Sequence, residues 1–117
     1  FGQLLRGLDG TAAELGHMIV HRGGRRCGCG AHGCLEAYAS VTGLVCTARE
    51  GLEKGEQSTL REMCGGDFRA LTGKMVFDAA ASSDTFAQRV FKETGEWIGI
   101  GIAGLINMLN PEKVILC

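Results

Sequence analysis

Cys27, Cys29 and Cys34 fall within eight residues, with Gly28, Gly30 and Gly33 between them, and nine residues separate His17 from Cys27. Three thiolates and one imidazole form a complete Cys3His set for tetrahedral Zn²⁺. The glycines suit that chemistry, because so tight a metal loop needs turns with positive φ that only glycine adopts cheaply. With all four positions supplied by the protein, no site is left open for water, so the expected role is structural rather than catalytic. Two other fates compete for these thiols. A disulfide between such near neighbours would be strained, and no secretory signal is visible. Buried free cysteines seldom come with interleaved glycines. Zinc is therefore the expectation. His32 lies inside the loop and is a competing imidazole. Arg22, Arg25 and Arg26 either offset the excess negative charge of the thiolates or belong to a solvated loop.

Two carboxylates accompany the set. Glu14 lies three residues before His17 and Glu36 two after Cys34. If one metal joins His17 and Cys34, both carboxylates come near it. Each can accept from two hydroxyls. A metal-bound imidazole keeps a proton on its other ring nitrogen and must donate there. Glu14, Glu36 and His17 would then suit a polyol. The other reading, left open by the residues alone, makes both glutamates supports for the metal ligands or helix caps.

Residues 15–20 read as a turn entering a short strand, since they end β-branched and apolar. Gly23-Gly24 breaks it and the cysteine loop follows. Leu35, Tyr38, Ala39, Leu44, Val45 and Ala48 approximate helical spacing, with Gly51 and Gly55 ending that helix. Residues 56–72 suggest a short helix and a loop, and Thr72 caps a helix over 74–81. Ser82-Ser83-Asp84 starts a longer helix. Its face is Phe86, Val90, Phe91, Ile98, Ile102, Leu105, Ile106 and Leu109, spaced to lie on one side. Gly95, Gly99, Gly101, Ala103 and Gly104 lie inside it, and the glycines cost helix propensity that close packing would offset. Asn110-Pro111 ends the helix. An apolar strand is expected over 113–117, which makes the class α/β. Cys46 reads as a small buried hydrophobe, and Cys64 and Cys117 give no reason for a role.

The chain has 117 residues, 45% hydrophobic and 21% charged, with formal net charge -1. That composition reads as a folded domain rather than a disordered tail. It gives no electrostatic case for nucleic acid or an anionic membrane. The longest apolar run, residues 97–109, contains Asn107 and four small residues and is well short of the roughly 20 residues that span a bilayer. An opening Phe1 and an apolar closing run suggest a piece of a longer protein, since a bare strand edge is a liability.

Ala13-Glu14-Leu15-Gly16-His17-Met18, with residues 27–40 reading CGCGAHGCLEAYAS, resembles the signature of ROK-family sugar kinases and repressors. Residues 95–116 resemble the family's late helix and strand. The resemblance is specific over 12–40 and loose over about 52–80. It implies part of an actin-like ATPase (ribonuclease H-like) fold with an inserted zinc loop. Residues 1–40 would carry sugar binding and the zinc loop, and 41–117 the helices and final strand. It implies structural zinc on His17, Cys27, Cys29 and Cys34, and sugar contacts from Glu14, His17 and Glu36. It further implies an ATP- and Mg²⁺-dependent hexose kinase acting on the sugar 6-hydroxyl, cytoplasmic and homo-oligomeric when full length.

No catalytic residue is expected here, because the family's Asn-Asp motif with its base lies upstream of this segment. Asp9, in Leu8-Asp9-Gly10, does not match that motif and reads as a turn aspartate. The alternatives are an N-acetylmannosamine kinase, or the effector-binding domain of a ROK repressor, which alone would bring nucleic acid as a partner. An isolated zinc module is a third possibility.

Overall fold

The computed structural model describes residues 2–116. Five α-helices carry the fold: α1 (Glu36–Ala39), α2 (Val41–Glu53), α3 (Leu60–Met63), α4 (Gly73–Ala81) and α5 (Thr85–Leu109). Two 3₁₀ turns, Leu15–His17 and Phe68–Ala70, complete the order.

The starts of the helices follow from short polar side chains that satisfy first-turn N–H groups. The Thr72 hydroxyl accepts from Met75 N at 3.2 Å, and the Asp84 carboxylate from Ala87 N at 2.9 Å. Ser40 separates α1 from α2, where one continuous helix was expected. Its hydroxyl accepts from Gly43 N at 3.0 Å and donates to the Glu36 carbonyl at 2.6 Å. Gly51 lies within α2. The stop falls at Gly55, with φ of 101°. At the far end Asn110 is left-handed, with φ of 43°. The proline that follows excludes it from the helical region, and asparagine tolerates this conformation better than most residues.

Leu44, Ala48 and Leu52 of α2 meet Val76 and Ala79 of α4 and Phe86, Ala87 and Val90 of α5, with Leu60, Cys64 and Leu71 closing the core. Only the first half of α5 is covered in this way. Of its expected apolar face, Phe86 and Val90 are buried, Ile98, Ile102 and Leu105 half-buried, and Phe91, Ile106 and Leu109 exposed. The difference is one of length: a 25-residue helix runs about 37 Å and outreaches the shorter helices packed on it. Within it, Gly101 lies against Leu35 and Gly104 against Met18, whereas Gly95 and Gly99 face open space. Close approach thus accounts for two of the four helical glycines.

The described residues contain no strand, so the β half of the expected α/β class has no element here. Residues 15–20 form a 3₁₀ turn and one isolated bridge, Ile19 to Cys34, and Arg26 to His32 makes a second. The pairing is cut short by the turn after His21 on one side and by α1 on the other. Residues 113–116 have no paired neighbour, and a strand exists only as part of a ladder. Cys117, the last residue of the expected strand, lies outside the described residues.

Candidate metal centre and polyol site

The cysteine loop is folded by its own backbone. Val20 and His21 N–H donate to Gly33 O at 2.9 and 3.2 Å, and Leu35 N donates to Met18 O at 2.9 Å. Gly33 has φ of 83°, and a Cβ there would collide with the His21 carbonyl, so only glycine fits. Gly30 is likewise left-handed, at 92°, while Gly28 is not. These pairings bring the His17 turn beside the loop.

The ligand atoms of His17, Cys27, Cys29 and Cys34 all lie within 4.8 Å of one another. Cys27 Sγ is 3.7 Å from His17 Nδ1, and Cys29 Sγ is 3.7 Å from Cys34 Sγ. Zinc–sulfur bonds of about 2.3 Å and zinc–nitrogen bonds of about 2.0 Å at the tetrahedral angle place such atoms about 3.5–3.8 Å apart. The donor set is that of a tetrahedral metal, and its Cys27–His17 and Cys29–Cys34 pairs stand at that spacing. Among the described residues His32 stays outside this group. The thiols are unequally poised. The Cys29 N–H favours a Cys27 thiolate, but the Glu36 carboxylate and burial outweigh it and push the thiol up to about 12. The Ala31 N–H, then the Cys27 thiol, draw Cys29 below its ordinary value. Burial raises Cys34. A bound cation reverses this logic and favours thiolate at all three.

Glu36 stands at the edge of the cluster. Its Oε1 accepts from Cys27 Sγ at 3.1 Å and lies 4.0 Å from His17 Nδ1. Gly16 packs against it: a Cβ there would sit 3.4 Å from Glu36 Oε2. Glu14 is exposed and precedes the 3₁₀ turn, its carbonyl accepting from His17 N at 3.0 Å. Glu14 and His17 line an open groove of about 370 Å³ with Met18 and the end of α5. Asp9 is a turn residue: its Oδ1 accepts from the Thr11 N–H and hydroxyl at 3.2 and 2.6 Å. Arg25 does not serve as a free counter-charge to the thiolates; it pairs with Glu50 at 2.8 Å. Arg22 and Arg26 are exposed. Cys46 is half-buried and donates to Glu50 Oε1 at 3.4 Å, while Cys64 is in the core.

Tyr38, at an apolar position of the helical pattern, belongs to an aromatic cluster that the sequence does not announce: it packs on Trp97 with ring centroids 4.5 Å apart. Its hydroxyl lies 3.0 Å from His21 Nδ1 and accepts from Arg25 N at 2.7 Å. Nothing in the spacing of these residues announces the partnership.

With this geometry in hand, comparison with known proteins is specific. The ROK family model matches residues 2–117, and the chain belongs to the ROK family. A glucokinase of Halalkalibacterium halodurans is 41% identical over 116 residues, which are 98% of this chain and 35% of that protein. The transcriptional repressor Mlc of Escherichia coli is 32% identical over 98% of this chain and 27% of its own length. The crystal structure of a ROK glucokinase from Streptomyces griseus in complex with glucose and AMPPNP superposes with a TM-score of 0.83. It is 36% identical and covers 93% of this chain and 36% of its own. The chain thus spans about a third of the length of the relatives it matches.

Proposed function

We propose that this chain is the carboxy-terminal part of an ATP-dependent hexose kinase of the glucokinase type, supplying sugar recognition and a structural Zn²⁺ site. The observation that carries this reading is the Glu36 carboxylate poised against two members of the metal set, 3.1 Å from Cys27 Sγ and 4.0 Å from His17 Nδ1. His17, Cys27, Cys29 and Cys34 hold the metal, which when bound cross-links the loop to the His17 turn. With Nδ1 toward the metal, His17 Nε2 carries the proton and donates to a sugar hydroxyl. Glu14 and Glu36 accept from hydroxyls.

Binding of this kind orients the 6-hydroxyl, and orientation with charge neutralisation by Mg²⁺ carries most of phosphoryl transfer. This chain orients the hydroxyl but does not deprotonate it: the base belongs to a preceding segment. The helical unit is one part of an actin-like ATPase fold. The full-length enzyme is cytoplasmic and homo-oligomeric in this reading.

Calorimetric titration of glucose and N-acetylmannosamine into the Zn²⁺-loaded protein tests it. Glu36→Gln should weaken the preferred sugar about 10–100-fold, as for hydrogen bonds to a charged group. Equal affinity in wild type and variant would count against it, and preference for N-acetylmannosamine would move the assignment to that kinase.

A second reading, the effector-binding domain of a repressor, is favoured by the likeness to Mlc over nearly the same span. It predicts sugar-sensitive DNA binding, and no sugar-dependent ATP turnover, in the protein that carries this segment.

A further inference from the structure

Arg25 lies two residues before Cys27, and its side chain points away from the ligands into the helices. Its side chain is 16% exposed. All five guanidinium N–H groups find acceptors. Nε donates to Glu50 Oε1 at 3.1 Å and Nη2 to Glu50 Oε2 at 2.8 Å. Nη2 also reaches the Thr47 hydroxyl at 3.1 Å. Nη1 takes the carbonyls of Ala37 and Gly43 at 3.2 and 3.3 Å. The pair with Glu50 is bidentate, the geometry that adds direction as well as strength. Ala37 is the second residue of a four-residue helix, too short to satisfy its own carbonyls.

The backbone of the same residue braces the loop. Gly33 N donates to Arg25 O at 2.8 Å and Arg25 N to the Tyr38 hydroxyl at 2.7 Å. The guanidinium carbon sits 4.7 Å over the Tyr38 ring. One residue therefore joins three things: the strap that carries Cys27, the short helix α1 that begins with Glu36, and α2. A displacement of Arg25 moves ligand and carboxylate together.

We infer that Arg25 is a positioning residue, locked on α2 through Glu50, that sets the register between the metal loop and Glu36. The inference rests on the metal and sugar reading above. It adds to that reading the device that holds the two sites in one frame. Lysine cannot replace it, since a single ammonium has three donors and no planar fork.

The test compares wild type, Arg25→Gln and Arg25→Lys in the full chain by two readouts. One is Zn²⁺ affinity by chelator competition. The other is amide hydrogen exchange at Cys27, Gly33 and Leu35 against Ala87 and Val90 in α5. Arg25→Gln should bind Zn²⁺ at least about 10-fold more weakly, the scale found for groups that hold metal ligands in place. Its loop amides should exchange at least about 10-fold faster while the α5 amides stay unchanged. Arg25→Lys should recover only part of both losses. If Arg25→Gln fails to fold, Arg25→Lys decides: the partial loss confined to the loop supports the role, and wild-type behaviour overturns it. Loss spread equally over loop and α5 would mean a general structural role and would also overturn it. A wild-type chain that takes up no Zn²⁺ refutes the metal reading instead, and the exchange comparison still judges Arg25.

Discussion

Cys29 is the exposed thiol of the candidate metal set, outside the hydrophobic core, so its replacement isolates the effect of ligation. Cys29→Ser should lose the metal and lower the melting temperature to that of chelator-treated wild type, because binding at such a site is coupled to folding. Identical melting curves with and without Zn²⁺ in wild type would contradict this. Glu14 offers a finer comparison. Its carboxylate makes no contact with the ligand set comparable to that of Glu36, so Glu14→Gln should leave Zn²⁺ affinity unchanged while weakening sugar about 10-fold. Equilibrium dialysis of metal beside sugar titration measures both. At this scale the sequence was most readable where partners are near in the chain. Cysteines separated by glycines, and carboxylates two or three residues from a ligand, converge with little chain between them. Arg25 and Glu50 are 25 residues apart. A pairing across that distance depends on how α2 packs, which no local spacing encodes, and so a counter-charge and a solvated loop residue stood as the two expectations for Arg25.

Among the elements, Asp84 does the work of two joints. Besides capping α5 it accepts, through Oδ2, from Ser58 Oγ, Thr59 N and Thr59 Oγ1 at 2.8–2.9 Å. Burial alone would raise this carboxyl. The N–H groups of Ala87 and Thr59 and the two hydroxyls overcome that and hold it below its ordinary 3.8. A depressed folded value means that the stabilisation is present above the unfolded value and is lost as pH falls through the folded one. Asp84→Ala should cost about 1–2 kcal/mol near neutral pH, and the cost should shrink below about pH 4. Urea denaturation at pH 7 and pH 3 checks both, and a cost that does not change with pH would contradict the assignment. The caps at Thr72 and Asp84 were legible because capping is local. The break at Ser40 was not, since its serine interrupts an otherwise helical pattern. Gly95 and Gly99 were overread: glycine in a helix signals close approach only where a neighbour arrives.

On the scale of the whole molecule, α5 carries its apolar pattern past the point where α2 and α4 can cover it. Ile106, Met108 and Leu109 remain exposed, as do Leu4, Leu5, Ile115 and Leu116. Exposed apolar surface of this kind marks faces that other structure covers, in keeping with a chain about a third as long as its relatives. No helix among the described residues is long and apolar enough to cross a membrane. Among the described residues, 113–116 form no strand for the same reason of scale: β pattern is written in sequence, but a ladder needs a neighbour. The chain by itself should show no sugar-dependent ATP turnover in a coupled assay, and turnover would overturn the placement of the base in a preceding segment. If His17, Cys27, Cys29 and Cys34 form one tetrahedral Zn²⁺ site, metal analysis of freshly reduced, purified protein should find about one Zn²⁺ per chain in wild type and none in Cys29→Ser; wild type without stoichiometric zinc would contradict that site.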